Sequence, residues 1–256
     1  MTLIPFEPYL GRWMINVHLI LEYLAFFVAY RYYLHLRKQK PDSISSSHRL
    51  SIIMGAAIGA LLGSRIMGIL ENPALSFANM NTQYFLYLIN IKTIMGGLFG
   101  GLLGVEFTKW IIKEKQSSGD LFTLPLIVGI FIGRIGCFLS GTKEFTYGHV
   151  TSFILGMDLG DGMKRHPLAL YELLFLGILF FVLRNLYLQK RLENGLLFQL
   201  FMLSYFGFRF LLEFFKPNVF FLLHLSTIQW LCIICFVYYH KTIMKFTRAY
   251  QKIYLL

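Results

Sequence analysis

Apolar residues fall in long unbroken runs along this chain, and polar residues gather between them. A helix that crosses a bilayer needs about 20 mostly apolar residues. Seven runs reach that length: Trp13–Tyr33, Leu50–Leu70, Thr93–Ile112, Leu121–Ser140, Leu168–Tyr187, Leu197–Phe215 and Val219–Tyr239. Pro41, Pro73, Pro217 and the stretch Lys115–Gly119 punctuate them, as residues that stop helices or favour turns do. The pattern predicts an all-α polytopic membrane protein with about seven transmembrane helices, in a single integral membrane domain over residues 1–256. The short aromatic piece Tyr84–Ile91 reads as interfacial or re-entrant. Met1–Gly11 lacks a basic start, and no small-residue cleavage site follows the first run, which predicts no cleaved leader.

Composition sharpens this picture. The chain is 56% hydrophobic and only 14% charged, whereas soluble domains carry about 25% charged residues. A net charge of +11 raises the question of nucleic acid. The basic residues answer it, because they sit at the ends of apolar runs and not in one stripe. That distribution fits anionic lipid headgroups and the excess of Lys and Arg on cytoplasmic loops. Basic residues concentrate in segments 31–49, 109–115, 184–191 and 241–252, which predicts an outside N-terminus and a cytoplasmic C-terminus. Cys232 and Cys235 have the spacing of a redox pair but stand in a continuous apolar run, so they read as helix packing. None of His35, His48, His149 and His240 has metal-ligand spacing with another, so no metal site is expected.

Three arginines lie deep within the runs: Arg65, Arg134 and Arg209. Arginine at a helix centre is costly in a bilayer, roughly 2.5–3.5 kcal/mol on insertion scales, so each needs a partner or an anionic ligand. Gly59-Ala-Leu-Leu-Gly63-Ser-Arg65 echoes Gly129-Ile-Phe-Ile-Gly133-Arg134, and small residues at that spacing let helix backbones approach closely. The third run has its own cluster, Gly96-Gly97-Leu-Phe-Gly100-Gly101-Leu-Leu-Gly104, which can pack tightly or open to admit a lipid tail. Tyr205, Arg209 and Glu213 share one helix face. They can neutralise themselves as a pair or contribute to a phosphate site shared with Arg134 and Arg65, because guanidinium binds phosphate oxygens in a bidentate fork. His166-Pro167 opens the fifth run, with Tyr171 and Glu172 one to two turns deeper. His166 can move a proton near neutral pH, and Glu172 needs a cationic partner or must stay neutral. His18 and Glu22, four residues apart, form an acid–base pair or a packed hydrogen bond. Gln229 is a lone polar group near the outer end of the last run, placed to touch a headgroup.

Taken in order, Gly63-Ser-Arg65, Gly133-Arg134-Ile-Gly136-x-Phe138-x-x-Gly141 with Tyr147-Gly148, His166-Pro167-x-x-x-Tyr171-Glu172, Arg209-Phe210-x-x-Glu213-Phe214 and Ser226-Thr-Ile-Gln229 resemble the prolipoprotein diacylglyceryl transferase family. The resemblance covers the chain from about Gly55 to Gln229. It implies seven spans with the N-terminus outside, in the bacterial cytoplasmic (inner) membrane. It implies transfer of diacylglyceryl from phosphatidylglycerol to the lipobox cysteine thiol of a lipoprotein precursor, with no cofactor. Arg134, His166, Arg209 and Glu172 are then expected at the catalytic centre. Arg65, Gly133, Gly136, Tyr171, Glu213, Gln229, His18 and Glu22 are expected around the substrates. The sequence departs from the family pattern at Met95, where the pattern has histidine, and at Cys137 and Ser140, where it has asparagine. The stretch Thr142–Phe145 also differs. Two other readings fit the same charges: a phospholipid-using transferase with a different acceptor, and a non-catalytic membrane protein that binds lipid.

Overall fold

A computed structural model describes residues 4–39, 44–71, 91–189, 192–218 and 222–254. The described residues are mostly helical. They form α1 (Val17–Gln39), α2 (Ser46–Glu71), α3 (Ile94–Ile112), α4 (Asp120–Ser140), α5 (Leu168–Gln189), α6 (Leu196–Leu212), α7 (Thr227–Tyr238) and α8 (His240–Tyr254). Two small hairpins accompany them, β1 (Tyr9–Leu10) with β2 (Trp13–Met14), and β3 (Met157–Asp158) with β4 (Lys164–Arg165). Pro41, Pro73 and nearly all of the Tyr84–Ile91 piece lie outside the described residues.

Among the described residues, four helices are long and apolar enough to cross a membrane: α2, α4 with the turn that follows it, α5, and α6 with its following turn. The helices divide between two compact units. The first comprises Met1–Pro41, Ser117–Phe201 and Phe214–Pro217, and the second Asp42–Gln116, Met202–Glu213 and Asn218–Leu256.

In the first unit α1 packs along α4, and α4 along α5. The first apolar run starts differently from its hydropathy. Trp13 and Met14 belong to a hairpin, with Leu10 opposite Trp13 and Gly11 supplying the positive φ (64°) that a two-residue turn requires. Asn16 then caps α1, its Oδ1 accepting from the Leu19 amide at 2.9 Å. The helix therefore begins at Val17 and runs past Tyr33 to Gln39. At the far end of the unit, the Asp120 carboxylate accepts from the Gly195 and Phe198 amides at 2.6 and 3.0 Å. An anion there satisfies open amides at the start of α6 and complements its dipole.

The chain between α4 and α5 is a structured cap. A 3-10 turn over Gly141–Lys143 leads to a stretch stitched to β4. Lys143 pairs with Glu7, and the Phe6 amide donates to the Leu139 carbonyl at 2.8 Å, so the N-terminal segment closes on the same end of the unit. That end carries exposed apolar groups, Trp13 of the first hairpin at 81% and Ile154 just before the second at 89% exposure among them. Aromatic and aliphatic groups of this kind suit a membrane–water interface.

In the second unit α2 and α3 lie against each other along a seam of glycine. Gly55, Gly59 and Gly63 face Gly104, Gly100 and Gly96, so a Cβ on any of the six would run into backbone of the other helix. The glycine cluster of the third run is thus used for packing. Thr93 starts α3 by accepting from the Gly96 amide at 3.1 Å. α7 touches both helices and is shorter than its apolar run, because Ser226 and Gln229 form a capping box that starts the helix at Thr227. Residues Leu222–Leu225 before it form a tight turn with Leu223 and His224 at φ 51° and 64°. Cys232 and Cys235 are buried free thiols in α7, in packing positions.

Candidate active site

Each unit carries a buried arginine–glutamate pair. In the first, Arg134 on α4 meets Glu172 on α5, Nε to Oε1 at 2.8 Å, with Arg134 6% and Glu172 1% exposed. In the second, Arg209 on α6 meets Glu213 in the turn below it, Nη2 to Oε2 at 3.3 Å. A lone buried ion would be far costlier than a pair, so these contacts explain how the sequence keeps charge inside apolar helices. Arg65 solves the same problem differently and donates to the Ile91 carbonyl, just before α3. The neighbouring Ser64 carbonyl accepts from the Thr93 amide at 3.2 Å, so both residues hold the entry to that helix.

Around Arg134 the first unit assembles a chain of polar contacts. Arg134 Nη1 reaches Cys137 Sγ at 3.7 Å, one turn along α4. Cys137 Sγ lies 3.7 Å from Nε2 of His18 on α1. The other ring nitrogen of His18, Nδ1, lies 3.1 Å from Glu144 Oε1. The approach of α1 depends on Gly136, where a Cβ would come within 2.9 Å of the His18 ring. Gly133 has a different setting, because a Cβ there would meet nothing within 4 Å. Glu22 is half-buried one turn further along α1. Spacing within α1 drew attention to Glu22, whereas the carboxylate on the His18 ring comes from Glu144, in a segment with no periodic signal.

His166 stands where Pro167 opens α5. Its Nδ1 and the Tyr171 hydroxyl are 3.1 Å apart, and the ring packs against Phe153, Tyr171 and Phe215. Its backbone carbonyl accepts from Gly148 at 2.8 Å. Beside it, Arg165 pairs with Asp161 at 2.6 Å and lies over the Tyr147 ring. Burial and the nearby His149 hold the His166 imidazole below its ordinary value of 6.5. The native ring therefore favours the neutral form, and below about pH 6.5 the unfolded chain takes up a proton that the native ring resists. Stability falls as pH drops through that window. Melting in detergent between pH 7.5 and 5 is expected to show a smaller loss for His166→Gln than for the parent chain, and equal losses would contradict this account.

In the second unit, Gln229 serves the start of α7. Its side chain accepts from the Ser226 amide at 2.8 Å and donates to the Phe210 carbonyl at 3.3 Å, so it ties α7 to the helix that carries Arg209. Met95, near the start of α3, is 1% exposed.

Chemically, the Arg134 cluster offers what an anionic, thiol-using reaction needs. A guanidinium has five N–H donors, more than one carboxylate can occupy. An imidazole stands across a single sulfur atom from it.

Comparison with known proteins points to the same family. A family model described as prolipoprotein diacylglyceryl transferase matches residues 8–244. A relative from Wolbachia sp. subsp. Brugia malayi, named phosphatidylglycerol–prolipoprotein diacylglyceryl transferase, is 33% identical over 198 residues, 72% of each chain. One of the same name from Ehrlichia ruminantium is 33% identical over 236 residues, 86% of each chain. Another, from Nitratidesulfovibrio vulgaris, is 33% identical over 180 residues, 66% of this chain and 62% of its own. With the match spanning nearly the whole chain, this protein belongs to the prolipoprotein diacylglyceryl transferase family.

Proposed function

We propose that this chain moves diacylglyceryl from phosphatidylglycerol to the cysteine thiol of a lipoprotein precursor. The observation that carries the reading is the buried Arg134–Glu172 pair, set in a chain of this family. The thiolate attacks the glycerol carbon next to the phosphate oxygen. The carbon–oxygen bond breaks, a thioether forms, and glycerol phosphate departs with the electron pair. Negative charge grows on the departing phosphate, and preorganised donors aimed at that charge lower the barrier. Arg134 is the donor the first unit offers for this role and Arg209 the one the second offers, and Arg65 holds phosphate or the entry to α3. Glu172 and Glu213 set the orientation of their guanidinium groups. Open space at Gly133, beside Arg134, leaves room for a headgroup. Tyr171 in the first unit and Gln229 in the second are polar groups available to a headgroup. The thiol, with a free pKa near 8.5, gives its proton to a histidine, and His166 and His18 are the candidates.

The same reading places the protein in the bacterial inner membrane with seven spans, N-terminus outside and C-terminus cytoplasmic. The end of the first unit that carries Trp13 and Ile154 then faces outward. α3, at 19 residues, is about 28 Å long, close to the hydrocarbon thickness. α7 reaches the inner face by continuing almost directly into α8, where Lys241 and Lys245 follow.

The test uses membranes that hold the full chain, labelled phosphatidylglycerol and a lipobox peptide. Label on the peptide supports the reading, and its absence under conditions where a relative labels the same peptide overturns it. The departure at Met95 favours one alternative, a transferase with another acceptor. General acid–base groups contribute roughly 10²–10⁴-fold. Met95→His is expected to change the rate by less than about tenfold, because the proton is handled elsewhere. A rise of about 10² or more would show that a base belongs at that position.

A further inference from the structure

We propose that Glu144 and His18 form the acid–base dyad of the transfer reaction, with Glu144 as the positioning residue and His18 Nε2 as the atom that takes the thiol proton. The inference rests on the function proposed above and names the base within it.

Three contacts carry it. A carboxylate can only accept, so Glu144 Oε1, 3.1 Å from Nδ1, fixes the proton of a neutral His18 on Nδ1 and leaves the lone pair on Nε2. Nε2 points at Cys137 Sγ, 3.7 Å away. The same sulfur is 3.7 Å from Arg134 Nη1. A proton acceptor and a fixed cation thus both reach one sulfur-sized position. A thiol that gives up its proton next to a phosphate-holding guanidinium needs this arrangement: base, sulfur, cation. A base held by a third group is also the general pattern of activated nucleophiles. The Cys137 sulfur occupies the position in the structure, within reach of Nε2.

His166 has no comparable arrangement. Its Nδ1 is engaged with the Tyr171 hydroxyl and its ring is packed among aromatic side chains. Among the described residues, the charged and titratable groups around His18 include Glu144, Cys137 and Arg134, with Glu172 paired to Arg134 and Glu22 one turn along its own helix. His18 is only 15% exposed in its side chain and Glu144 41%, so the dyad has one end in the helix packing and one toward solvent. The thiol proton taken at Nε2 can therefore be balanced by release to water at the Glu144 end.

The experiment has two arms. The first measures transfer from labelled phosphatidylglycerol to a lipobox peptide across pH for the parent chain, Glu144→Gln, Glu144→Asp and His18→Gln. The expected result is a loss of kcat of about 10²-fold or more for His18→Gln with KM little changed. Glu144→Gln is expected to lower kcat and to move the acidic limb of the rate profile to lower pH, because the imidazolium loses its anion. Glu144→Asp is expected to restore much of the rate. The second arm needs no transfer activity. With Cys232→Ala and Cys235→Ala in place, it follows the rate at which a small maleimide alkylates Cys137 between pH 5 and 9. His18→Gln and Glu144→Gln are expected to slow this reaction at pH 7, since the thiolate there depends on Nε2. If the parent chain transfers nothing but alkylation depends on both residues, the dyad stands and the proposed transfer falls. If transfer proceeds and neither its pH profile nor alkylation responds to Glu144, the dyad is overturned.

Discussion

Arg134→Ala is expected to reduce diacylglyceryl transfer by about 10²–10³-fold, the range seen when a donor aimed at developing negative charge is removed. The chain would still enter the membrane, because the apolar runs that direct insertion are untouched. Two effects must be separated. Truncating Arg134 leaves Glu172, 1% exposed, without its cation, and breaking a buried pair from one side costs about 3–5 kcal/mol of stability. Replacing both partners with apolar residues of similar volume is often neutral for folding. Arg134→Met with Glu172→Met is therefore expected to recover the melting temperature of the parent chain in detergent without recovering activity. Arg134→Lys is expected to stay far below the parent rate, since an ammonium lacks the planar fork that grips both a carboxylate and a phosphate. Full activity in the double Met variant would remove Arg134 from the chemistry.

The second large effect lies in the glycine seam of α2 and α3. A Cβ added at Gly100 would overlap the Gly59 carbonyl and come within 2.8 Å of the Gly63 Cα. Backbone on both sides leaves nothing flexible to give way. Overpacking of this kind typically costs 1–3 kcal/mol and occasionally more, so Gly100→Ala is expected to be destabilising and Gly100→Val to separate the helices. Gly97 on the same helix is the control. Its nearest neighbour would be the Ser64 Cβ at 3.7 Å, an ordinary contact, and alanine forms helix better than glycine by about 1 kcal/mol. Gly97→Ala is expected to be neutral or stabilising. Thermal unfolding in detergent, read beside protease resistance of the 46–112 region, distinguishes the two positions. Similar behaviour at both would contradict the seam.

Much of this was legible from residue order alone. Long apolar runs mark helices well because lipid leaves a spanning chain few other ways to satisfy its backbone. Hydropathy cannot distinguish an apolar hairpin from an apolar helix, so Trp13 and Met14 read as the start of α1. The small polar groups that set the true starts, Asn16 and Ser226, act through single hydrogen bonds that leave no periodic trace. The site shows the same division. Arg134, Glu172 and His166 stand out in sequence because charge in an apolar run is conspicuous. Glu144 does not, because it lies among polar loop residues and meets His18 across more than a hundred positions of chain. The Cys137 contact is equally hidden, since a buried thiol looks like ordinary packing.

The glycine seam also limits how α2 and α3 can vary in length. Each helix presents its small residues every fourth position, and the contact is backbone against backbone. The alignment can therefore repeat only in steps of four residues, about 6 Å of helix rise. An insertion of four residues that continues the glycine spacing preserves the groove. An insertion of one or two rotates the glycines off the contact and presents side chains to a gap with no room for them. Register along this pair is thus discrete, and changes of membrane thickness must be met by tilting the pair as a unit and not by sliding one helix along the other.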